Sequence, residues 1–246
     1  MTLHVVITGA SSGIGAACAK AFAARGDRLS LGARRSDRLS GIAKGAFAHA
    51  LDVTSPASVE RFVAAAIAAN GPIDVLVNNA GLARGVEKLA EGTGEAWREM
   101  LETNVLGLLE VTRRVLPHML EHKHGHVVVI GSIAGHKAYA GGSVYCGSKR
   151  ALQSICETMR METLGSGIRV TSVDPGMVET EFSVVRFRGD EARAAKVYQD
   201  TRPLRAEDVA DCVVFAVTRP AHVNLDSIVV MPTDQATPQQ VHRGGR

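Results

Sequence analysis

Tyr145 and Lys149 are the two side chains of this sequence whose types and spacing most directly suggest chemistry. They lie four residues apart in a segment with helical periodicity, so they share one face of the predicted helix. A tyrosine phenol has a pKa of about 10, and a neighbouring ammonium group lowers it by favouring the phenolate. Tyr145 is therefore a candidate general acid or base for the proton of an alcohol.

Two polar residues upstream strengthen this interpretation, because a Tyr-x-x-x-Lys pair by itself also fits an ordinary helix surface. Ser132 comes just after the fifth predicted strand, where its hydroxyl can hydrogen-bond a developing alkoxide. Asn104 lies inside a long predicted helix, on the same side as Leu101 and Leu108. Its buried amide needs partners, and either a structural hydrogen bond or a water held for a proton relay would supply one.

A glycine-rich turn joins the first predicted strand to the first predicted helix, with the sequence Thr8-Gly9-Ala10-Ser11-Ser12-Gly13-Ile14-Gly15. Gly9 permits the tight turn, Gly13 lets the backbone approach a pyrophosphate, and Gly15 lets the helix pack against the sheet. The helix N-terminus offers N–H groups and a partial positive charge to an anion. Glycines by themselves also fit a plain loop, but their place between strand and helix favours a dinucleotide site.

The end of the second predicted strand indicates which dinucleotide binds. An NAD site usually has an acidic residue there, about 20 residues past the glycines. This strand ends in Arg34 and Arg35 instead, and Asp37 comes too late. The two arginines can pair with a 2′-phosphate, and Ser11 can add a hydroxyl. Two solvated loop arginines are the alternative, and the pattern favours NADP over NAD.

Short apolar runs alternate with helical patterns along the whole chain and must position these residues. Strands are predicted at 3–8, 28–33, 46–51, 73–77, 126–130, 168–173 and 227–231, and helices at 13–25, 36–44, 55–70, 95–121, 143–164 and 207–218. The alternation predicts an α/β fold over residues 1–246, a single-domain doubly wound parallel sheet of Rossmann type with helices on both faces. The ligand should bind at the carboxyl ends of the strands.

Composition excludes several other functions. The net charge is only +3 and the basic residues are scattered, so nucleic-acid binding is not expected. Neither an export segment nor an apolar run of about 20 residues is present, so no membrane association is expected. The four cysteines form no metal-binding motif, which predicts no metal site and free thiols in the cytoplasm.

Taken together, the motifs resemble the short-chain dehydrogenase/reductase family over essentially the whole chain. The matching positions are Thr8-Gly9-x-x-x-Gly13-x-Gly15, Asp52-Val53, Asn78-Asn79-Ala80-Gly81, Asn104, Ser132, Tyr145-x-x-x-Lys149 and Pro175-Gly176. The resemblance implies that Tyr145 exchanges the proton with the substrate, and that Lys149 lowers the pKa of Tyr145 and holds the nicotinamide ribose. It also implies that Ser132 orients the substrate oxygen and that Asn104 holds the relay water. It also implies a homotetramer built through the two long helices.

The resemblance also assigns the cofactor site. With the glycine turn and the arginine pair, the expected NADP-binding residues are Gly9, Ser11, Ser12, Gly13, Ile14, Gly15, Arg34, Arg35, Asp52, Val53, Asn79, Ala80, Gly81, Tyr145, Lys149, Pro175, Gly176, Val178 and Thr180.

The segment 177–203 is the expected substrate lid, irregular and polar. Its stretch from Thr180 to Asp190 resembles the NADP-dependent 3-hydroxy acid dehydrogenases, which oxidise serine and allo-threonine and reduce malonic semialdehyde. An acidic substrate favours an arginine near the carbonyl pocket. Arg186 is the candidate, with Arg188 and Arg84 behind it. The alternative is that Arg186 pins the lid to an acid such as Glu181.

Three functions therefore remain open. The first is an oxidoreductase of a small 3-hydroxy acid or its carbonyl product, with Ser132, Tyr145 and Arg186 contacting the substrate. The second is a reductase of sulfoacetaldehyde or neutral ketones, and the third is a non-catalytic NADP-binding regulatory protein. Arg84 and His136 depart from the subgroup pattern near the expected site mouth. The polar tail at 238–246 is expected either to be disordered or to cover a neighbouring subunit.

Arg34→Asp should weaken NADP binding sharply, by about tenfold or more, because it replaces a partner of the 2′-phosphate with a like charge. Fluorescence titration with NADP and with NAD measures this. Unchanged binding of both nucleotides would show that Arg34 has no part in cofactor selection.

Overall fold

Seven short strands form the parallel sheet that the alternating pattern predicts. The computed structural model describes residues 2–244. The strands are β1 (His4–Thr8), β2 (Arg28–Ala33), β3 (Phe47–Ala50), β4 (Val75–Asn78), β5 (Gly125–Ile130), β6 (Ile168–Pro175) and β7 (Ser227–Val230). Their order is β3-β2-β1-β4-β5-β6-β7, and every neighbouring pair is parallel. The direction of winding reverses between β1 and β4, so a ligand cleft is expected there.

The helices cover both faces of the sheet. They are α1 (Gly13–Ala24), α2 (Pro56–Asn70), α3 (Gly94–Leu101), α4 (Gly107–His122), α5 (Ile133–His136), α6 (Ser143–Glu162), α7 (Phe182–Arg186), α8 (Glu191–Tyr198) and α9 (Ala206–Val217). Within the described residues, no helix combines the length and the apolar content that crossing a bilayer requires.

Side-chain alternation along the buried strands creates one core on each face. In β1, Val5 and Ile7 pack into the core that contains Phe22 of α1. Val6, between them, packs into the opposite core with Phe62 of α2. Because both faces are covered, the central strands β1, β4 and β5 consist mostly of buried apolar residues, as parallel strands do in doubly wound folds. The predicted fold class is confirmed.

The predicted helix at 36–44 is wrong in its length. Only Ser36–Arg38 forms a turn of 3-10 helix, and the segment then passes through turns to β3. Gly41 and Gly45 account for the difference, because glycine disfavours a helix and Gly45 has a positive φ of 80°.

The predicted lid at 177–203 was expected to be irregular, but it contains α7 and α8. Phe182 and Val185 anchor α7 by packing against a small core around Tyr145. Asp190 caps α8, its carboxylate accepting the backbone N–H of Arg193 at 2.9 Å. The long helix predicted at 95–121 is also interrupted, since Glu102–Leu106 between α3 and α4 is a π-helical turn.

The described part of the tail, up to residue 244, lies against its own chain. The backbone N–H of His242 donates to the carbonyl of Asp234 at 2.7 Å. Arg243 donates to the Val197 carbonyl at the end of α8, at 3.1 Å. The tail therefore folds back toward the lid helices, and its last two residues lie outside the described residues.

Leu31→Ala should lower the free energy of unfolding by about 2–5 kcal/mol, because the fully buried Leu31 of β2 would leave a cavity in the core. Leu89→Ala removes the same atoms from a side chain that is 63% exposed, and should cost under about 1 kcal/mol. Urea denaturation at one protein concentration compares the two. Equal losses would contradict the assignment of Leu31 to the core.

Candidate active site

The predicted site residues converge on one cleft of about 510 Å³ at the carboxyl ends of the central strands. Every predicted catalytic, cofactor and substrate residue lines this cleft except Gly15, Asn104 and Arg186. The lining also includes residues that the sequence analysis did not select: Leu82, Thr103, Ile130, Glu181, Phe182 and Val185. These come mainly from the lid and from strand ends, where no motif marks them.

The glycine turn is joined to the turn after β4 by close backbone contact. A Cβ on Gly9 would lie 2.9 Å from the Cα of Ala80, and one on Gly15 would lie 2.5 Å from the Asn79 side-chain nitrogen. The Thr8 hydroxyl accepts the N–H groups of Asn79 and Ala80 at 3.1 and 3.0 Å. Gly15 therefore acts through packing, and the turn leaves a backbone-lined cradle that suits a pyrophosphate.

The arginines after β2 differ in their surroundings. Arg34 is exposed at the cleft wall, whereas Arg35 is part-buried and donates to the Ser12 hydroxyl at 2.9 Å. Arg35 and Arg38 also bind the two carboxylate oxygens of Glu181, at 2.8 and 3.0 Å. The hydrogen bond from Arg35 holds the pKa of Glu181 below its usual range. A lid carboxylate therefore sits among the groups suited to a nucleotide 2′-phosphate.

Ser132, Tyr145 and Lys149 are buried together beside this cradle. Ser132 caps α5, its hydroxyl accepting the N–H of Ala134 at 3.1 Å. Tyr145 and Lys149 lie one turn apart on α6, only 9% and 6% exposed. The Lys149 ammonium donates to the Ile130 carbonyl at the end of β5, at 2.9 Å. A buried hydroxyl, phenol and ammonium group suit proton transfer to or from an alcohol.

Burial is the main cause of the shifted pKa values of Tyr145 and Lys149. It raises the pKa of Tyr145, while the Ser132 hydroxyl and the charge of Arg186 oppose that rise. It lowers the pKa of Lys149 to about 8, against the opposing charge of Asp174. The cation that faces the Tyr145 ring is Arg186, so the effect of Lys149 on the tyrosine stays a prediction.

Asn104 lies in the π-helical turn and holds the segment that follows β4. Its side chain accepts the Leu82 N–H and donates to the Leu82 carbonyl, both at 2.8 Å, and donates to the Ser148 hydroxyl at 3.0 Å. These hydrogen bonds satisfy the buried amide, as the structural alternative expects. A relay water held by Asn104 stays a prediction.

Arg186 projects toward Tyr145. Its guanidinium lies 5.6 Å from the ring centroid of Tyr145 and donates to the Tyr139 hydroxyl at 2.7 Å and the Gly85 carbonyl at 2.9 Å. The alternative that Arg186 pins the lid to an acid such as Glu181 is wrong in its partner, because Glu181 binds Arg35 and Arg38. Arg186 instead ties α7 to two neutral groups, on Gly85 and Tyr139. Tyr145 and Arg186 both border a second cavity of about 480 Å³.

Arg84 and Arg188, the other two arginines considered for substrate binding, contact other groups. Arg84 forms a two-pronged ion pair with Glu99 of α3 and also donates to the carbonyl of Val185. Arg188 lies on the surface, 3.9 Å from Glu95. Arg84 therefore ties α7 to α3, and Arg186 is the arginine best placed to meet a substrate.

A family model for short chain dehydrogenases matches residues 3–191. The chain belongs to the short-chain dehydrogenase family. This short-chain dehydrogenase is 40% identical to the NADP-dependent 3-hydroxy acid dehydrogenase of Salmonella typhi over 237 residues, 94% of this chain and 96% of that protein. It is 48% identical to an uncharacterized oxidoreductase of Mycobacterium tuberculosis over 234 residues, 94% and 92% of the two chains.

Solved structures agree with this assignment. The closed form of a serine dehydrogenase complexed with NADP+ matches this short-chain dehydrogenase with a TM-score of 0.93 and 40% identity, over 98% of this chain and 100% of that one. The serine dehydrogenase of Escherichia coli matches with a TM-score of 0.82 and 35% identity, over 95% and 100%. The family and the subgroup resemblance that the motifs predicted are confirmed.

Glu181→Gln should tighten NADP binding by about two- to fivefold, because it removes a carboxylate that shares Arg35 and Arg38 with the 2′-phosphate. Glu179→Gln is the matched control, since Glu179 is an exposed carboxylate of the same segment. Calorimetric titration measures the affinity of each variant for NADP and for NAD. Equal tightening for NAD, which lacks the phosphate, would contradict the explanation.

Proposed function

We propose that this enzyme transfers a hydride between NADP(H) and a small acidic alcohol or carbonyl compound, such as a 3-hydroxy acid. Serine, allo-threonine, 3-hydroxypropionate and malonic semialdehyde are the substrates proposed. The chain is an NADP-dependent dehydrogenase of the short-chain family. The observation that supports an acidic substrate is the guanidinium of Arg186 beside the ring of Tyr145.

The residues present fit the cofactor. The glycine turn offers a backbone cradle for the pyrophosphate, with Ser11, Ser12, Gly13 and Ile14 in its wall. Arg34 and Arg35 stand where the 2′-phosphate is expected, and Asp52 and Val53 would border the adenine. Asn79 to Gly81 would face the adenosine ribose, and Pro175, Gly176, Val178 and Thr180 the nicotinamide end. NADP, when bound, takes up or supplies the hydride.

The chain's own groups would handle the proton. Tyr145 would exchange it with the substrate oxygen, and Ser132 would donate a hydrogen bond to the same oxygen. The Lys149 ammonium would hold the nicotinamide ribose and favour the phenolate of Tyr145. Because Tyr145 and Lys149 are almost fully buried, closing the site to water would strengthen these electrostatic effects.

The charge of Arg186 is available to a substrate. Among the described residues, no carboxylate lies within ion-pair distance of it, and its partners at Tyr139 and Gly85 are neutral. A part-buried guanidinium with neutral partners suits a carboxylate, which it can bind with two parallel hydrogen bonds. The same charge would accept a sulfonate, so reduction of sulfoacetaldehyde is the second candidate.

We also propose a homotetramer whose interface is formed by the two long helical segments, α3 with α4 and α6. Large apolar side chains remain exposed on or just after them, among them Leu106 at 58%, Met161 at 67% and Leu164 at 88%. An apolar surface of this kind favours association with a second copy. For location we propose the cytoplasm, since the four cysteines carry free thiols.

NADPH absorbance with a small substrate panel tests the function. We expect turnover of serine or 3-hydroxypropionate with NADP, and at least about a hundredfold loss of kcat in Tyr145→Phe with NADP binding retained. Arg186→Ala should raise KM for the acids by about tenfold or more and leave KM for neutral alcohols nearly unchanged.

Arg188→Ala is the matched control, because this neighbouring arginine lies on the surface. If Arg186→Ala raises KM equally for acidic and neutral substrates, Arg186 does not recognise the substrate anion. Turnover of neutral carbonyl compounds only would support the proposed proton transfer by Tyr145 but contradict an acidic substrate. NADP binding without any hydride transfer would favour a regulatory protein.

A further inference from the structure

A buried carboxylate lies directly behind the catalytic serine. Asp174, the residue before Pro175 at the end of β6, is only 1% exposed. One carboxylate oxygen accepts the backbone N–H of Ser132 at 3.1 Å and the Ser172 hydroxyl at 2.8 Å. The other accepts the Ser227 hydroxyl at 3.0 Å. A buried charge with this many donors is held in one position.

Asp174 contacts α5 at both of its ends. It binds the backbone of Ser132 at the N-cap, and the Nε2 atom of His136 in the last turn lies 3.1 Å from its second oxygen. A Cβ on Gly131 would lie 1.7 Å from the carboxylate, so only glycine lets the carboxylate come this close. The position of the Ser132 hydroxyl therefore depends on Asp174, although Asp174 does not line the cleft.

The same carboxylate acts on Lys149. The Lys149 ammonium donates to the Ile130 carbonyl at 2.9 Å, and the next residue, Gly131, lies against the Asp174 carboxylate, so the two charges stand on either side of the end of β5. Asp174 supplies the negative charge that supports the ammonium against the effect of burial. Around Asp174 itself stand His136 of α5, Cys156 of α6, Ser172 of β6 and Ser227 of β7, with Asp226 just before it.

We propose that Asp174 is a positioning residue for the reaction, which fixes Ser132 through its backbone and keeps Lys149 charged, while His136 shields the carboxylate from solvent. This inference rests on the proposed oxidoreductase function. His136 is about one third exposed, with a side-chain exposure of 31%, against 1% for Asp174, so its ring separates the carboxylate from water. A shielded charge acts more strongly on its neighbours than a hydrated one.

The sign of the pH dependence follows from Lys149. An ammonium is charged below its pKa, and burial places that pKa at about 8. Removing a nearby anion lowers the pKa further, so the ammonium is lost at a lower pH. NADP binding that depends on Lys149 should therefore weaken at a lower pH in the variant than in the natural enzyme.

Asp174→Asn tests the charge, because asparagine keeps the shape and an oxygen that can accept the Ser132 N–H. Calorimetric NADP titration from about pH 6 to pH 10 should show the alkaline loss of affinity shifted down by about half to one pH unit. kcat should also fall on the alkaline side, with KM for the substrate little changed. Ser227→Ala, which removes a neutral partner of the same carboxylate, should leave the pH profile in place.

His136→Ala is a second test, since it removes a side chain that is about one third exposed and leaves the buried charge of Asp174 intact. It should shift the profile in the same direction by a smaller amount, because water then reaches the carboxylate. The proposal is wrong if Asp174→Asn and His136→Ala show the same pH profile as the unaltered enzyme. It is also wrong if Ser227→Ala shifts the profile as much as Asp174→Asn does. If the unaltered enzyme binds no NADP at any pH, the proposed function has failed instead.

Discussion

The close approach of two turns is the constraint on which the rest of this molecule depends. The backbone after β1 touches the backbone after β4, and the Thr8 hydroxyl bonds both Asn79 and Ala80. A side chain larger than hydrogen at Gly9 would separate them. The two turns sit where the sheet reverses its direction of winding, so their contact forms the floor of the cleft and aligns the neighbouring strand ends.

Electrostatics divide the cleft into two regions. At one end, Arg34 and Arg35 with Ser12 suit a phosphate on the nucleotide, and at the other Arg186 faces Tyr145. Between them, Lys149 is buried against a carbonyl. Four cations in or beside this cleft favour anionic ligands at both ends, which is consistent with a phosphorylated cofactor and the proposed acidic substrate.

Much of this arrangement could be predicted from the sequence because it follows from local rules. The apolar runs predict the buried strands, and the glycine spacing predicts the turn between β1 and α1. Tyr145 and Lys149 share a helix face at any orientation of that helix. The fold class, the glycine turn, the arginine pair and the pairing of Tyr145 with Lys149 were predictable on these grounds. The cleft residues after β3, β4 and β6 were predicted only through the family resemblance.

What could not be predicted depends on contacts between distant segments. Glu181 meets Arg35 across 146 positions of sequence, and Asp174 meets Ser132 across 42. The lid was expected to be irregular because its sequence is polar, but two apolar anchors on the Tyr145 core order it. The π-helical turn that places Asn104 leaves no local signal, since its residues continue the helical pattern of their neighbours.

The short helix α7 and the residue before it have a consequence for how this enzyme can diversify. Glu181 contacts the arginines of the nucleotide end, and Arg186, one helix later, contacts the tyrosine of the substrate end. Glu181 immediately precedes α7, and Arg186 is the last of the five residues of this helix. With the roles proposed above, a mutation that shifts α7 would alter the cofactor contact and the substrate contact at once. Changes in cofactor preference and in substrate preference are therefore coupled through this helix.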